Sequence, residues 1–179
     1  LYFIGAGAGL MVISSIAGMA KNSLGEAAFV AVAILAVGNA AGRIIAGMLS
    51  DKIGRKHTLF IMLAFQAVLM FVAIPVVSAK TTTALVLVLL ATLIGFNYGT
   101  NLSLFPSFTK DLYGLKNFGI NYGIVFTAWG VGGFVLSRMS QMLQATSGGS
   151  FSSSFVAAGI LLAVGAVLTL TLKNSNPKK

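Results

Sequence analysis

Six apolar runs, at 1–20, 27–49, 58–78, 83–104, 118–140 and 151–172, leave this chain little choice of environment. Each is close to the ~20 residues that a helix needs to cross a bilayer. Only a helix or a closed barrel satisfies its own backbone in hydrocarbon, and these runs lack the alternation of a barrel strand. Of the 179 residues 57% are hydrophobic and only 8% charged, with a mean hydropathy of +0.95, which is more apolar surface than a water-soluble domain of that length can hide. The expectation is an all-α membrane protein, a single bundle of six transmembrane helices over 1–179.

The connections carry the topology. Lys52, Arg55 and Lys56 follow the second run, Lys110 and Lys116 the fourth, and Lys173, Lys178 and Lys179 the sixth, whereas the opposite side has only Lys21 and Lys80. Cytoplasmic connections hold the excess of Lys and Arg, which predicts a cytoplasmic C-terminus in a multi-pass protein of the inner (plasma) membrane. The net charge of +9 is therefore read as a topology signal, and nucleic acid is not expected as a partner. The chain starts at Leu1, already apolar, with no polar n-region, so a signal peptide is not expected and the sequence reads as part of a longer protein.

Arg43 stands out. From Ala27 to Leu49 the second run holds only apolar residues and glycines apart from Asn39 and this arginine. Insertion scales assign about 2.5 to 3.5 kcal/mol to one arginine near the centre of a membrane helix. A residue kept at that cost faces a bundle interior or a watery cavity where an anion compensates it. Asn39 stands one turn earlier on the same face, and a guanidinium beside an amide can hold a carboxylate in a fixed orientation. The competing reading is an arginine that snorkels to the interface or bonds neighbouring carbonyls.

Depth adds companions. Asn97 and Tyr98 of the fourth run, and Tyr122, Phe126 and Trp129 of the fifth, fall at levels from which they can wall a small organic anion near Arg43, or serve as ordinary packing. Arg138, beside Ser137 and Ser140 at the far end of its run, is placed to reach headgroups and the closing carbonyls of its helix. Glycines number 21, with Gly5 and Gly9 in the first run and Gly38, Gly42 and Gly47 in the second, for tight bundling or for helices that slide on one another.

The chemistry that is missing narrows the function class. Glu26, Asp51 and Asp111 are the only acids, all at run ends or connections, and His57 is the only histidine. With no cysteine and no carboxylate or imidazole within a run, there is nothing for a metal site, a cofactor or a nucleophilic triad, and an enzyme is not expected. A proton relay of the usual kind would lie outside this chain, or the substrate and Arg43 would couple to protons between themselves.

The segment Gly47-Met-Leu-Ser-Asp51-Lys-Ile-Gly54-Arg55-Lys56 resembles the loop signature G-x-L-x-D-x-x-G-R-K of the major facilitator superfamily. That resemblance implies twelve helices in two halves with the substrate between them, and this chain is similar to the C-terminal half, so the N-terminal half is an expected partner. It also implies a gate in which Asp51 pairs with Arg55 and meets a neighbouring helix N-terminus, Gly54 permits the turn, and Gly47 and Lys56 complete the motif. The bland reading is a basic turn that only sets topology.

Asn39 to Arg43, NYGTNLSLFPSF at 97–108 and NYGIVFTAWGVGG at 121–133 resemble the oxalate/formate antiporter family and bacterial monocarboxylate–proton symporters. The resemblance implies that Arg43 binds the substrate carboxylate. Oxalate exchangers of that family add a lysine in the helix of the TAWG segment, where this chain offers Trp129, and animal monocarboxylate transporters have an aspartate where Asn39 stands. One buried cation suits one carboxylate, so the expectation is a transporter moving a small monocarboxylate such as L-lactate or pyruvate with a proton by alternating access. Oxalate/formate-type exchange and a non-transporting anion receptor are the alternatives.

Overall fold

The computed structural model describes residues 1–24, 28–78 and 84–172, and they form six α-helices. These are α1 Tyr2–Leu24, α2 Ala28–Ile53, α3 Arg55–Ser78, α4 Ala84–Tyr113, α5 Phe118–Thr146 and α6 Ser152–Thr169. Five of them, α2 to α6, are long and apolar enough to cross a membrane, and α1 is apolar from Tyr2 to Ile13. Glu26, Lys80, Lys173, Lys178 and Lys179, on which part of the charge reading rests, lie outside the described residues, as does the side chain of Lys21.

Helix ends depart from the expected runs at the charged connections. The segment read as a basic loop is almost entirely helical: α2 continues through Asp51 to Ile53, and α3 starts at Arg55. Gly54 alone reverses the chain, at φ +89°, a left-handed conformation that disfavours any residue with a Cβ. Its N–H donates to the Ser50 carbonyl at 3.1 Å, closing α2, and its own carbonyl accepts from the Thr58 N–H and hydroxyl, opening α3. Likewise α4 runs past Pro106 to Tyr113 and ends on Gly114, also at positive φ, so Lys110 and Asp111 are helical. At the other end of the bundle α5 extends to Thr146, two turns beyond Arg138.

Packing follows the small residues. The three tightest pairs are α2 with α4, α3 with α6 and α1 with α5, and α1 also packs along α4. Between α2 and α4 the glycines mesh reciprocally. A methyl group at Gly38 or Gly42 would overlap the carbonyls of Thr92 or Phe96, and one at Gly95 or Gly99 would overlap those of Leu35 or Asn39. Gly7 and Gly132 meet in the same way between α1 and α5. Close backbone approach supplies the van der Waals contact that drives association where lipid removes the hydrophobic difference.

The buried core lies among α1, α3, α4 and α6, around Met11, Leu63, Met70, Ile94, Phe155 and Leu162. Helices α2 and α5 stand outside it: 17% and 11% of their spanning residues are buried, against 44 to 56% for α3, α4 and α6. Their outward faces carry Phe29, Val37, Ile44 and Met48 on α2, and Ile120, Ile124 and Phe134 on α5.

Candidate functional site

The seam between α2 and α4 fixes Arg43. Asn39 and Gly42 sit directly against α4, so the backbone that carries the arginine is locked one residue away from it. Arg43 Nε donates to Asn39 Oδ1 at 3.0 Å, across one helical turn. The pair opens into a cleft of about 460 Å³, lined also by Leu35, Ala36 and Ala40. Arg43 is exposed there, and Asn39 is partly buried. Among the described residues no carboxylate pairs with Arg43, since both described acids, Asp51 and Asp111, are engaged with Arg55. The remaining nitrogens of the fork are thus available to an incoming anion.

The fifth helix supplies an aromatic column. Phe118, Tyr122, Phe126 and Trp129 share one face, with ring centroids 5.7, 5.6 and 5.0 Å apart in succession. Trp129 Nε1 donates to the Tyr98 hydroxyl at 2.8 Å and ties the column to α4. Tyr2 of α1, which the sequence did not single out, stacks on Phe105 at 4.1 Å and meets Phe126 edge-on at 6.2 Å. The expected residues are therefore brought together in part: Arg43 with Asn39 in one cleft, and Tyr98 of α4 with Trp129, which continues the α5 column of Tyr122 and Phe126.

Asn97 is placed differently. Gly95 and Gly99 carry the face of α4 that meets α2, which puts Asn97 on the opposite side. It is fully buried, and neither its Oδ1 nor its Nδ2 has a protein partner. Two residues the sequence reading passed over, Gln66 and Asn101, are buried as well. A methyl at Gly9 would touch Gln66 and Tyr98, and one at Gly5 would meet Asn101, so these glycines make the room for the amides. Asn101 Nδ2 donates to the Asn97 carbonyl, and its Oδ1 is buried without a partner. The polar letters were visible in the sequence, but the face they occupy was not.

The signature end is built around Arg55. Its Nη1 donates to Asp51 Oδ1 at 2.6 Å and to the Ser50 hydroxyl, and its Nε donates to Asp111 Oδ2 at 3.2 Å. The carboxylate that reaches in from another helix is that of Asp111 on α4, which meets Arg55 beside Asp51. Lys56 Nζ donates to the Leu170 carbonyl at 2.7 Å, just past the end of α6. Four helices are tied at this end by two adjacent cations.

Arg138 is also placed otherwise than expected. Because α5 continues to Thr146, the arginine is not at the helix terminus, and its Nη1 donates to Gln141 Oε1 at 2.8 Å instead of to closing carbonyls.

Comparison with known proteins accords with this arrangement. The family model described as Major Facilitator Superfamily matches residues 1–179. The uncharacterized MFS-type transporter YhjX of Escherichia coli (strain K12) is 32% identical over 106 residues, covering 57% of this chain and 24% of that protein. The MFS transporter asaE of Aspergillus flavus is 28% identical over 132 residues, covering 74% of this chain and 29% of that protein. The chain thus spans less than a third of the curated relatives it matches, and its six helices fit one half of such a fold. Matched over its whole length and built of apolar, glycine-meshed helices around the signature turn, this multi-pass membrane chain belongs to the Major Facilitator Superfamily.

Proposed function

We propose that this chain is the C-terminal half of a secondary transporter that carries a small monocarboxylate, of the L-lactate or pyruvate type, together with a proton by alternating access. The observation that carries the reading is Arg43, exposed in an apolar cleft, steadied by a neutral amide and without a described acid beside it. A monocarboxylate supplies the one negative charge this site needs, and the fork geometry favours two parallel hydrogen bonds to it. Tyr98 of α4 and Tyr122, Phe126 and Trp129 of α5 wall the approach. The N-terminal half completes the cavity over the exposed faces of α2 and α5. The signature end faces the cytoplasm, and Asp51, Asp111, Arg55 and Lys56 hold it shut in one conformation and release it in the other.

The test is uptake of labelled L-lactate by the full-length protein in proteoliposomes, with and without an inward proton gradient, wild type beside Arg43→Lys. Uptake that rises with the gradient and is lost in the variant is the expected result. Uptake indifferent to the gradient and driven by internal oxalate or formate would replace symport by anion exchange. Saturable binding without uptake would leave a receptor.

A further inference from the structure

The half of α5 away from the signature turn holds a second guanidinium cleft, of about 540 Å³, with Leu10, Trp129, Ser137, Arg138 and Gln141 in its wall. Its chemistry repeats that of the Arg43 cleft. There the arginine is braced by an amide oxygen one turn before it, at 3.0 Å, and here by one three residues after it, at 2.8 Å. In both pairs the bracing atom is neutral, so the positive charge is oriented but not cancelled. Both described carboxylates are on Arg55 at the other end of the bundle. A cation on a membrane-spanning helix and without an acid beside it draws an anion from outside the chain.

The two clefts are also connected. Trp129 lines the Arg138 cleft, and its indole N–H is donated to Tyr98, whose chain neighbour Gly99 packs against the backbone of Asn39 in the Arg43 cleft. Gly130 and Gly133 leave the floor of the second cleft low beside the indole. From these observations we infer that the Arg138–Gln141 cleft is a second anion site, which takes a small monoanion such as a carboxylate ahead of the Arg43 site and passes it along Trp129 and Tyr98. The inference rests on the transport reading above. A lipid headgroup phosphate offers a guanidinium the same chemistry, so the source of the anion has to be separated by experiment.

Trp129 is the chain's one tryptophan and stands in the wall of the cleft, which makes it a reporter. Its emission is isolated as the difference between the full-length protein and its Trp129→Phe variant in liposomes. It is quenched with iodide, an anionic probe, and with acrylamide, a neutral one, on both sides of the membrane. The expected result is iodide quenching that exceeds acrylamide quenching, falls at least about threefold in Arg138→Gln, and is largely kept in Arg138→Lys. L-lactate at increasing concentration should relieve it. Equal quenching by the two probes, or no change in Arg138→Gln, would overturn the site. Iodide quenching that vanishes when phosphatidylcholine is replaced by phosphatidylglycerol would assign the cleft to a headgroup and overturn its place on the path. If iodide quenching depends on Arg138 while L-lactate neither relieves it nor is taken up, the anion site stands and the monocarboxylate reading fails.

Discussion

At the turn between α2 and α3, Arg55 has two carboxylates and a hydroxyl around it. About three turns back along α2, Arg43 has one neutral amide oxygen and an open cleft. The two side chains are identical and belong to one short stretch of sequence, yet one is electrostatically complete within the protein and the other is not. A guanidinium whose donors are already taken acts on structure, by holding helices in one arrangement. A guanidinium left with free donors and an uncompensated charge is where a ligand's binding energy comes from. On the proposed reading the first arginine belongs to the gate and the second to the substrate site.

Exchanging the cation head is the sharpest way to break that contrast. Arg43→Lys keeps the charge and loses the fork, and should lower L-lactate uptake by about a hundredfold or more at unchanged protein level, since a bidentate pair is not replaced by a point charge. Near-normal uptake by a folded variant would remove Arg43 from the site. Next in size is the seam that presents it. Gly99→Val forces a side chain into the Asn39 backbone, and separation of α2 from α4 should cost several kcal/mol, read as a lower thermal unfolding midpoint in detergent together with lost uptake. A midpoint equal to wild type would mean the two helices do not lie in contact there.

At the complete arginine the two acids should differ. Asp111 is largely buried and reaches in from another helix, whereas the Asp51 side chain is 69% exposed and lies in the same turn. Asp111→Asn should therefore lower stability by about 1 to 3 kcal/mol, and Asp51→Asn by less than about 1 kcal/mol. A double-mutant cycle with Arg55→Gln checks both, and equal coupling energies would refute the ranking. The smallest effect is expected at the α4–α5 tie. Tyr98→Phe removes the acceptor of the Trp129 indole and should cost about 1 kcal/mol, with a red shift of Trp129 emission as its N–H turns to water.

Periodicity and composition made the fold legible, because lipid demands long apolar helices and little else, and the six runs appear as α1 to α6. The arginine in the second run was legible for the same reason: a charge among apolar letters needs an explanation whatever the fold. Helix ends were less so. Residues 51–57 and 108–117 read as connections, but a single left-handed glycine can turn the chain, so the helices continue to Ile53 and Tyr113 and resume at Arg55 and Phe118.

What only the tertiary structure decided is which residues face one another. Sequence alone determined that Asn39 and Arg43 share a face, since a helix places residues four apart on one side. It could not determine that Asp111, 56 residues from Arg55, completes that cation, or that Asn97 is buried on the face away from α2 while Tyr98 beside it meets Trp129. Those outcomes depend on the rotation and crossing of whole helices, set here by where opposing glycines allow two backbones to touch, and that is a property of pairs of segments that no one segment carries.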